Sequence, residues 1–224
     1  ILSLAPYPIY PVKAGNQVLT VNLCNYLESK GHELGYIYLD YGNPVQIDNT
    51  SKIKWLEYYS INGAVGKKYT GLVKKIVNKL CLAVGISPIR IPFLFSKSDF
   101  QSIERSVRNN KYDIVIVRFP IFSFLQSFLK KLHVKAVIVT HDLHYLRQQR
   151  LVDFGKVNSL INLENEKQYE LTQYKGFDLV NVVSSHEYDL LLKEGFTPEQ
   201  LSLSGISIDI IDVNALKENK INMK

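Results

Sequence analysis

Short apolar segments recur along the whole chain, separated by longer stretches in which apolar residues return at helical spacing. Most of these segments are rich in Val and Ile and do not alternate with polar residues. Such runs are typical of strands buried on both faces of a parallel sheet. The predicted strands are Ile1–Ala5, Leu34–Leu39, Ile53–Tyr58, Ile114–Arg118, Ala136–Thr140, Leu179–Ser184 and Leu201–Leu203.

The stretches between the strands favour helices. Gly31 ends the first of them, and Ser98 and Asp99 are candidate caps for a later one. The predicted helices are Asn16–Lys30, Ser98–Asn109, Phe122–Leu132, Asn158–Lys175 and Ser185–Lys193. This alternation predicts a single Rossmann-like α/β domain, with a mostly parallel sheet of about seven strands and helices on both faces. In such sheets ligands bind beyond the carboxyl ends of the strands.

Composition narrows the class of protein. The 224 residues are 46% hydrophobic and 21% charged, which excludes a disordered chain, a collagen-like fibre and a coiled coil. The net charge of +6 is compatible with anionic lipid, phosphate-bearing ligands or nucleic acid. Basic residues are scattered, and no RNA-binding or helix-turn-helix signature occurs, so we expect no nucleic-acid partner.

Cysteine content and hydropathy indicate the compartment. Cys24 and Cys81 both lie in apolar helical patterns, so we expect buried, reduced thiols in a cytoplasmic protein. No stretch approaches the roughly 18 to 20 apolar residues of a membrane span. The chain opens in an apolar run without Met and ends in a polar stretch, Lys217–Lys224. We therefore expect a fragment, with a domain at 1–210 and a linker at 211–224.

The loop after the first predicted strand contains a single glycine, Gly15, directly before the helix. It lacks the GxGxxG fingerprint, which argues against an ordinary NAD or FAD enzyme. Gly15 at a helix N-terminus would let a phosphate or a sugar hydroxyl approach the backbone, and Lys13 would add positive charge. The alternative is a simple helix-initiating turn beside a solvated lysine.

A His-Asp pair follows the fifth predicted strand. His141 there can exchange hydrogen bonds with a ligand, and Asp142 can orient it or act on a hydroxyl. The alternative is that Asp142 caps the next helix and His141 packs at its mouth. His141 and His144 lack a third ligand at the usual spacing, so we expect no metal site.

A basic amphipathic helix is predicted over Lys67–Val84, with apolar residues on one face. It can lie on an anionic membrane surface, or it can be an ordinary outer helix with a solvated lysine face. The candidate membrane-contacting residues are Lys67, Lys68, Lys74, Lys75 and Lys79.

With these residues placed, the chain resembles the N-terminal half of a GT-B-fold retaining glycosyltransferase of family 4. Four segments carry the likeness: LSLAPYPIYPVKAGNQVLTVNLCNYLESKGHEL, VIVTHDLHYLRQQR, ENEKQYELTQYKGFDLVNVVSSHEYDLL and LSLSGISID. They correspond to the family's first strand, loop and helix; its fifth strand and His-Asp pair; its long helix, strand and following Glu; and its hinge into a second domain. They occur in the family's order and span nearly the whole chain.

The resemblance implies the acceptor-side domain of an enzyme that moves a sugar from a nucleotide-sugar to a hydroxyl, with retention and without a metal or other cofactor. By the same resemblance, Gly15 and Asn16 line the cleft and His141 lies near the transferred sugar. The family's acceptors are often lipid-linked or envelope sugars, which implies a cytoplasmic protein placed peripherally at the inner face of the membrane.

The chain also departs from the family. Ala14-Gly15 stands where two glycines are frequent, and the hinge reads Ser204–Asp209 in place of a compact Asn-Gly-Val-Asp. The C-terminal donor-binding domain is missing, so we expect the isolated chain to be inactive. Two other interpretations stay open: a non-catalytic membrane-docking subunit that acts with a separate donor-binding chain, and a stand-alone sugar- or phosphate-binding protein.

Overall fold

The structure, a computed structural model, describes residues 1–12, 14–39, 53–61, 95–154 and 162–204. Within these ranges the strands form one seven-stranded sheet in the order β3-β2-β1-β4-β5-β6-β7, and every neighbouring pair is parallel. The strands are β1 (Leu2–Ala5), β2 (Leu34–Leu39), β3 (Trp55–Ile61), β4 (Ile114–Arg118), β5 (Lys135–Val139), β6 (Leu179–Val182) and β7 (Leu201–Leu203). The predicted Rossmann-like α/β domain is confirmed.

Within the described ranges, helices lie in the stretches for which the sequence predicted them, and one further helix, over 144–153, was not predicted. The described α-helices are α1 (Gly15–Ser29), α2 (Lys97–Asn109), α3 (Gln126–Lys131), α4 (His144–Asp153), α5 (Leu163–Tyr174) and α6 (Ser185–Lys193). A 3₁₀ segment, Pro120–Leu125, precedes α3 where the sequence predicted one helix over 122–132, and a short one, Pro198–Gln200, precedes β7. The chain enters this helix through Pro120, at the start of the first segment, and through Phe119 just before it, which has a positive φ.

The two predicted caps of α2, Ser98 and Asp99, lie two and three residues beyond the N-cap that the structure shows. Ser96 is the N-cap, and its side chain accepts a hydrogen bond from the Asp99 backbone N–H. Asp99 in turn accepts from the Ser96 backbone N–H at 2.6 Å, forming a reciprocal capping box. Ser98 lies within the first turn, where its hydroxyl pairs with that of Ser96.

Apolar side chains fill both sides of the sheet. On one side Leu4, Val117 and Ile138 pack beneath α2, the 3₁₀ segment and α5. On the other side α1 covers an aromatic cluster that includes Tyr36 and Tyr38. Because the sheet is buried on both faces, the sequences of its strands are nearly continuous apolar runs.

The thiol of Cys24 is buried in α1 and free, in agreement with the expected buried, reduced cysteine. Burial raises its pKa to about 11, which keeps it protonated at neutral pH. Cys81 lies outside the described residues.

Candidate functional site

The sheet has a switch point between β1 and β4. These strands are neighbours, yet the chain leaves β1 toward β2 on one side and leaves β4 toward β5 on the other. The loops beyond their carboxyl ends diverge there and leave a crevice, which is where open α/β sheets bind ligands. Pro6–Pro11 follows β1 at this edge, Phe119 follows β4 and His141 follows β5.

Two aromatic rings meet at the crevice. The imidazole of His141 stacks on the ring of Phe119 with centroids 4.2 Å apart and planes at 23°. Tyr7 contacts Phe119 edge-on at 5.4 Å. Phe119 and His141 both have positive φ, 74° and 60°, a backbone conformation that residues other than glycine seldom adopt. Such residues cluster at functional sites, where the surrounding structure holds them in place.

His141 is a neutral imidazole at physiological pH. Burial, followed by the positive charge of Arg118, lowers its pKa to about 4. Its Nε2 atom is buried and has no hydrogen-bond partner. The side chain can therefore give or accept a hydrogen bond from a ligand, but it does not carry charge there.

Arg118, the last residue of β4, was not singled out from the sequence. Its side chain is only 1% exposed, and its Nε and Nη2 atoms have no hydrogen-bond partner. The signal was present, because a charged residue ends the otherwise apolar strand segment IVIVR.

Asp142 lies apart from this group. Its side chain is 42% exposed, and one carboxylate oxygen is 3.9 Å from the Arg147 guanidinium. The N-cap of α4 is Leu143, so the alternative in which Asp142 caps the helix is wrong. The structure places His141 in the crevice and Asp142 beside the first turn of α4.

The free N–H groups at the start of α4 are capped by two buried carboxylates from other helices. Glu187 of α6 accepts from the Leu143 N–H at 3.0 Å. Glu170 of α5 accepts from the His144 and Tyr145 N–H groups, each at 2.7 Å. These bonds fix the segment that carries His141. Sequence reasoning noted Glu187 only as part of a family pattern and missed Glu170.

Glu170 is held in an unusual environment. The Tyr174 hydroxyl also donates to it at 2.5 Å, and it is 5% exposed. Burial raises its pKa to about 7, against the opposing effect of the three hydrogen bonds.

Gly15 and Asn16 open α1 beside the crevice. The Gln17 side chain accepts from the Ala14 N–H at 3.0 Å and donates to the Pro8 carbonyl at 2.9 Å, which ties the loop after β1 to the helix. A side chain at Gly15 would meet no atom within 4 Å, so space lies beyond it.

The Tyr7 hydroxyl lies 3.4 Å from the Thr20 hydroxyl, which donates to the Asn16 carbonyl at 2.8 Å. Burial raises the pKa of Tyr7, while side-chain hydrogen bonding acts in the opposite direction. Because Tyr7 contacts Phe119, Thr20 connects Asn16 to the His141 stack. Lys13 lies outside the described residues.

A groove of about 430 Å³ runs along the sheet beside α1. Its lining is mainly apolar, with polar groups near the carboxyl edge. The lining residues are Leu19, Asn22, Leu23, Tyr26, Ile116, Arg118, Val137, Val139, His141, Leu179, Asn181, Val183 and Ser204.

The described ranges contain no group of three or more His, Cys, Asp or Glu side chains arranged to hold a metal ion. Nor does any helix in that part of the chain have the length and hydropathy to cross a membrane. The predicted basic helix, with Lys67, Lys68, Lys74, Lys75 and Lys79, falls outside the described residues, as does the predicted linker at 211–224.

The family model for Glycosyltransferase Family 4 matches residues 14–203. The chain therefore belongs to glycosyltransferase family 4. A comparison with curated protein sequences gives no significant match.

Solved structures share the fold. Sucrose-phosphate synthase from Thermosynechococcus elongatus superimposes with a TM-score of 0.61 at 13% identity, covering 97% of this chain and 52% of that one. UGT2 of Phytolacca americana, solved with UDP-2-fluoro-glucose and pterostilbene, gives a TM-score of 0.57 at 10% identity, covering 98% and 57%. The chain thus spans about half the length of these structures. They support the expected fold, a Rossmann-like half of a GT-B enzyme.

Proposed function

We propose that this chain is the acceptor-side domain of a retaining glycosyltransferase that moves a hexose from a nucleotide-sugar to a hydroxyl group. The observation that carries the proposal is a neutral, buried His141 with an unpartnered Nε2 at the switch-point crevice of a family 4 chain. A hydrogen bond from such a group orients a sugar hydroxyl without adding a charge to the site.

The other residues of the crevice would have supporting roles. The open space beyond Gly15 allows a ligand to approach the first N–H groups of α1, which favour phosphate or sugar oxygens. Asn16, whose carbonyl accepts from the Thr20 hydroxyl, would help that residue to hold Tyr7 beside the aromatic stack. Lys13 would add charge to the same loop. Asp142, which faces Arg147, would act on the loop rather than on the reacting atoms.

The donor would be held largely by a second, C-terminal domain. This part of the proposal is supported by the share of the similar structures that the chain covers, 52% and 57%. UGT2 was solved with UDP-2-fluoro-glucose, a molecule of the nucleotide-sugar class that we propose as the donor here. The 224-residue chain alone would then lack turnover, and no metal or other cofactor would be required.

The acceptor would be a lipid-linked or envelope sugar, reached from the cytoplasmic side of the membrane. The net charge of +6 favours contact with an anionic surface, and the predicted lysine-rich helix would supply it. Pelleting with anionic and neutral liposomes, with and without the five lysines of that helix, tests this part separately.

The test of the enzymatic proposal is a nucleotide-release assay with a panel of nucleotide-sugars, run on the complete polypeptide from its source and on the 224-residue chain. We expect turnover from the former and none from the latter. Turnover by the isolated chain would contradict the two-domain requirement. Failure of the complete polypeptide with every donor, in the presence of sugar and lipid acceptors, would contradict the enzyme assignment.

A further inference from the structure

Arg118 carries a buried charge that the described residues do not neutralise. It is the largest of the fully buried side chains, its Nε and Nη2 atoms have no hydrogen-bond partner, and no ion pair among the described residues includes it. A guanidinium stays protonated in proteins, so burial cannot remove this charge. Buried charges are normally paired, because desolvation without a partner is unfavourable.

Four side chains whose pKa values the charge of Arg118 lowers are uncharged at neutral pH. They are Tyr7, Cys24, Tyr36 and His141. Burial outweighs this effect in the thiol and the two phenols, whose pKa values remain raised, so they stay protonated. None of these four side chains can therefore neutralise Arg118, and none of the ion pairs within the described ranges includes it.

A second unsatisfied group lies next to it. Nε2 of His141 is also buried without a partner, and Arg118 and His141 both line the groove of about 430 Å³. Arg118 ends β4 and His141 follows β5, so both project from adjacent strands at the carboxyl edge of the sheet. Two unpartnered polar side chains at one end of a groove indicate a ligand that satisfies both.

We propose that Arg118 and His141 form a subsite that binds a phosphate group. A guanidinium presents two parallel N–H donors to a phosphate, and the N–H of the His141 tautomer protonated at Nε2 reaches a third oxygen. The remainder of the groove, lined by valine and leucine side chains, would take an apolar part of the same molecule. That the phosphate belongs to a nucleotide-sugar or to a phosphorylated acceptor rests on the proposed function, whereas the binding of phosphate does not.

The experiment measures binding to the 224-residue chain. Its two readouts are the thermal unfolding temperature and the ring ¹⁵N signals of His141. The probes are inorganic phosphate, sodium acetate and sodium chloride at equal ionic strength. We expect phosphate alone to raise the unfolding temperature in a saturable way and to shift the His141 signal. Equal unfolding temperatures in phosphate and chloride would overturn the proposal.

Two variants locate the effect. Arg118→Met should weaken phosphate binding at least tenfold, while Arg108→Met, which removes an arginine 61% exposed on α2, should leave it unchanged. Unchanged binding in Arg118→Met would place the phosphate elsewhere and overturn the subsite. If that variant does not fold, the side-chain Nε signal of Arg118 in the unsubstituted chain decides, since it must shift with phosphate.

Competition distinguishes the source of the phosphate. Uridine diphosphate and a short-chain alkyl phosphate are titrated against bound phosphate, and the stronger competitor identifies the nucleotide or the acceptor as the ligand. These measurements require no turnover, so the subsite and the proposed transferase activity can fail independently.

Discussion

Glu170 of α5 accepts a hydrogen bond from the backbone N–H of Tyr145, the second residue of α4, at 2.7 Å. The same carboxyl also accepts from the His144 N–H and from the Tyr174 hydroxyl. A helix N-terminus that has no cap of its own is thus completed by a side chain from the following helix. Because α4 begins three residues after His141, this carboxyl also determines where the loop bearing the histidine lies.

Replacement of Glu170 should destabilise the protein more than replacement of Glu164, an exposed glutamate on the same helix. Glu170→Ala leaves two helix N–H groups and the Tyr174 hydroxyl without an acceptor, which we expect to cost about 3 kcal/mol of unfolding free energy. Chemical denaturation measures the loss. Glu164→Ala is the matched control, because Glu164 accepts only from Gln168 on the exposed face. Equal effects of the two variants would contradict the capping role.

Glu170 should also make stability depend on pH. Its pKa is about 7 in the folded protein against the ordinary 4.5 of a glutamate, so the folded state favours the protonated form. Its contribution is therefore fully present below pH 4.5 and is lost as the pH rises through about 7. The loss is of the order of 3 kcal/mol. The Glu170→Gln variant should lack this part of the pH dependence, as measured by denaturation midpoints at several pH values. A profile that matches the unsubstituted chain would show that another group titrates.

His141 should titrate in the opposite sense. Its folded pKa of about 4 lies below the ordinary 6.5, so its contribution to stability is present above pH 6.5 and is lost as the pH falls through about 4. NMR titration of the imidazole should show a neutral ring down to that pH. In Arg118→Met the pKa should rise only part of the way toward 6.5, because burial is the larger cause. A full return to 6.5 would mean that charge, not burial, dominates.

One substitution tests the packing of the His141 ring separately from the hydrogen bonding of its nitrogen. His141→Phe keeps an aromatic ring against Phe119 and removes the unpartnered Nε2 atom, so we expect stability within about 1 kcal/mol of the original. In the complete enzyme the same variant should lower kcat at least tenfold. His186→Ala, on the exposed face of α6, is the control for both measurements. Full activity in His141→Phe would reduce the residue to a packing role.

Two glycines should respond differently to alanine. At Gly15 the new methyl group meets no atom, so stability should change by less than about 1 kcal/mol, while phosphate or nucleotide-sugar affinity should fall if a ligand approaches the backbone there. At Gly35 the methyl group would collide with the Tyr112 ring, so Gly35→Ala should lower stability by about 2 kcal/mol. Thermal unfolding of the two variants, with binding measured on Gly15→Ala, checks both. Unchanged ligand affinity in Gly15→Ala would leave that glycine as a simple helix-initiating turn.

Much of the fold could be predicted from the sequence. The predicted strands Leu34–Leu39, Ile114–Arg118 and Leu201–Leu203 have the bounds found in the structure. A strand buried on both faces can be predicted from a continuous apolar run of neighbouring residues. A helix can be predicted from the periodic spacing of its apolar residues. The boundaries that were wrong, such as the cap of α2, depend on which of several neighbouring polar residues reaches a backbone N–H.

The candidate site was visible only in part. His141 and the loop before α1 were found because they follow predicted strands and match a family pattern. Arg118 and Glu170 were missed, although Arg118 ends an otherwise apolar strand with a charged group. Their roles depend on residues far along the chain, as in the bond between Glu170 and His144, and no local spacing encodes such a contact.

By itself, the sequence determined the alternation of strands and helices, the family, and the positions of the loops after β1 and β5. Each of these depends on residues that are neighbours along the chain. The tertiary structure alone decided that β4 lies beside β1, that Phe119 stacks on His141, and that Arg118 is buried with its Nε and Nη2 atoms unpartnered among the described residues. These features arise from pairing and burial of distant segments, where the free energy depends on what each side chain meets after the sheet has formed.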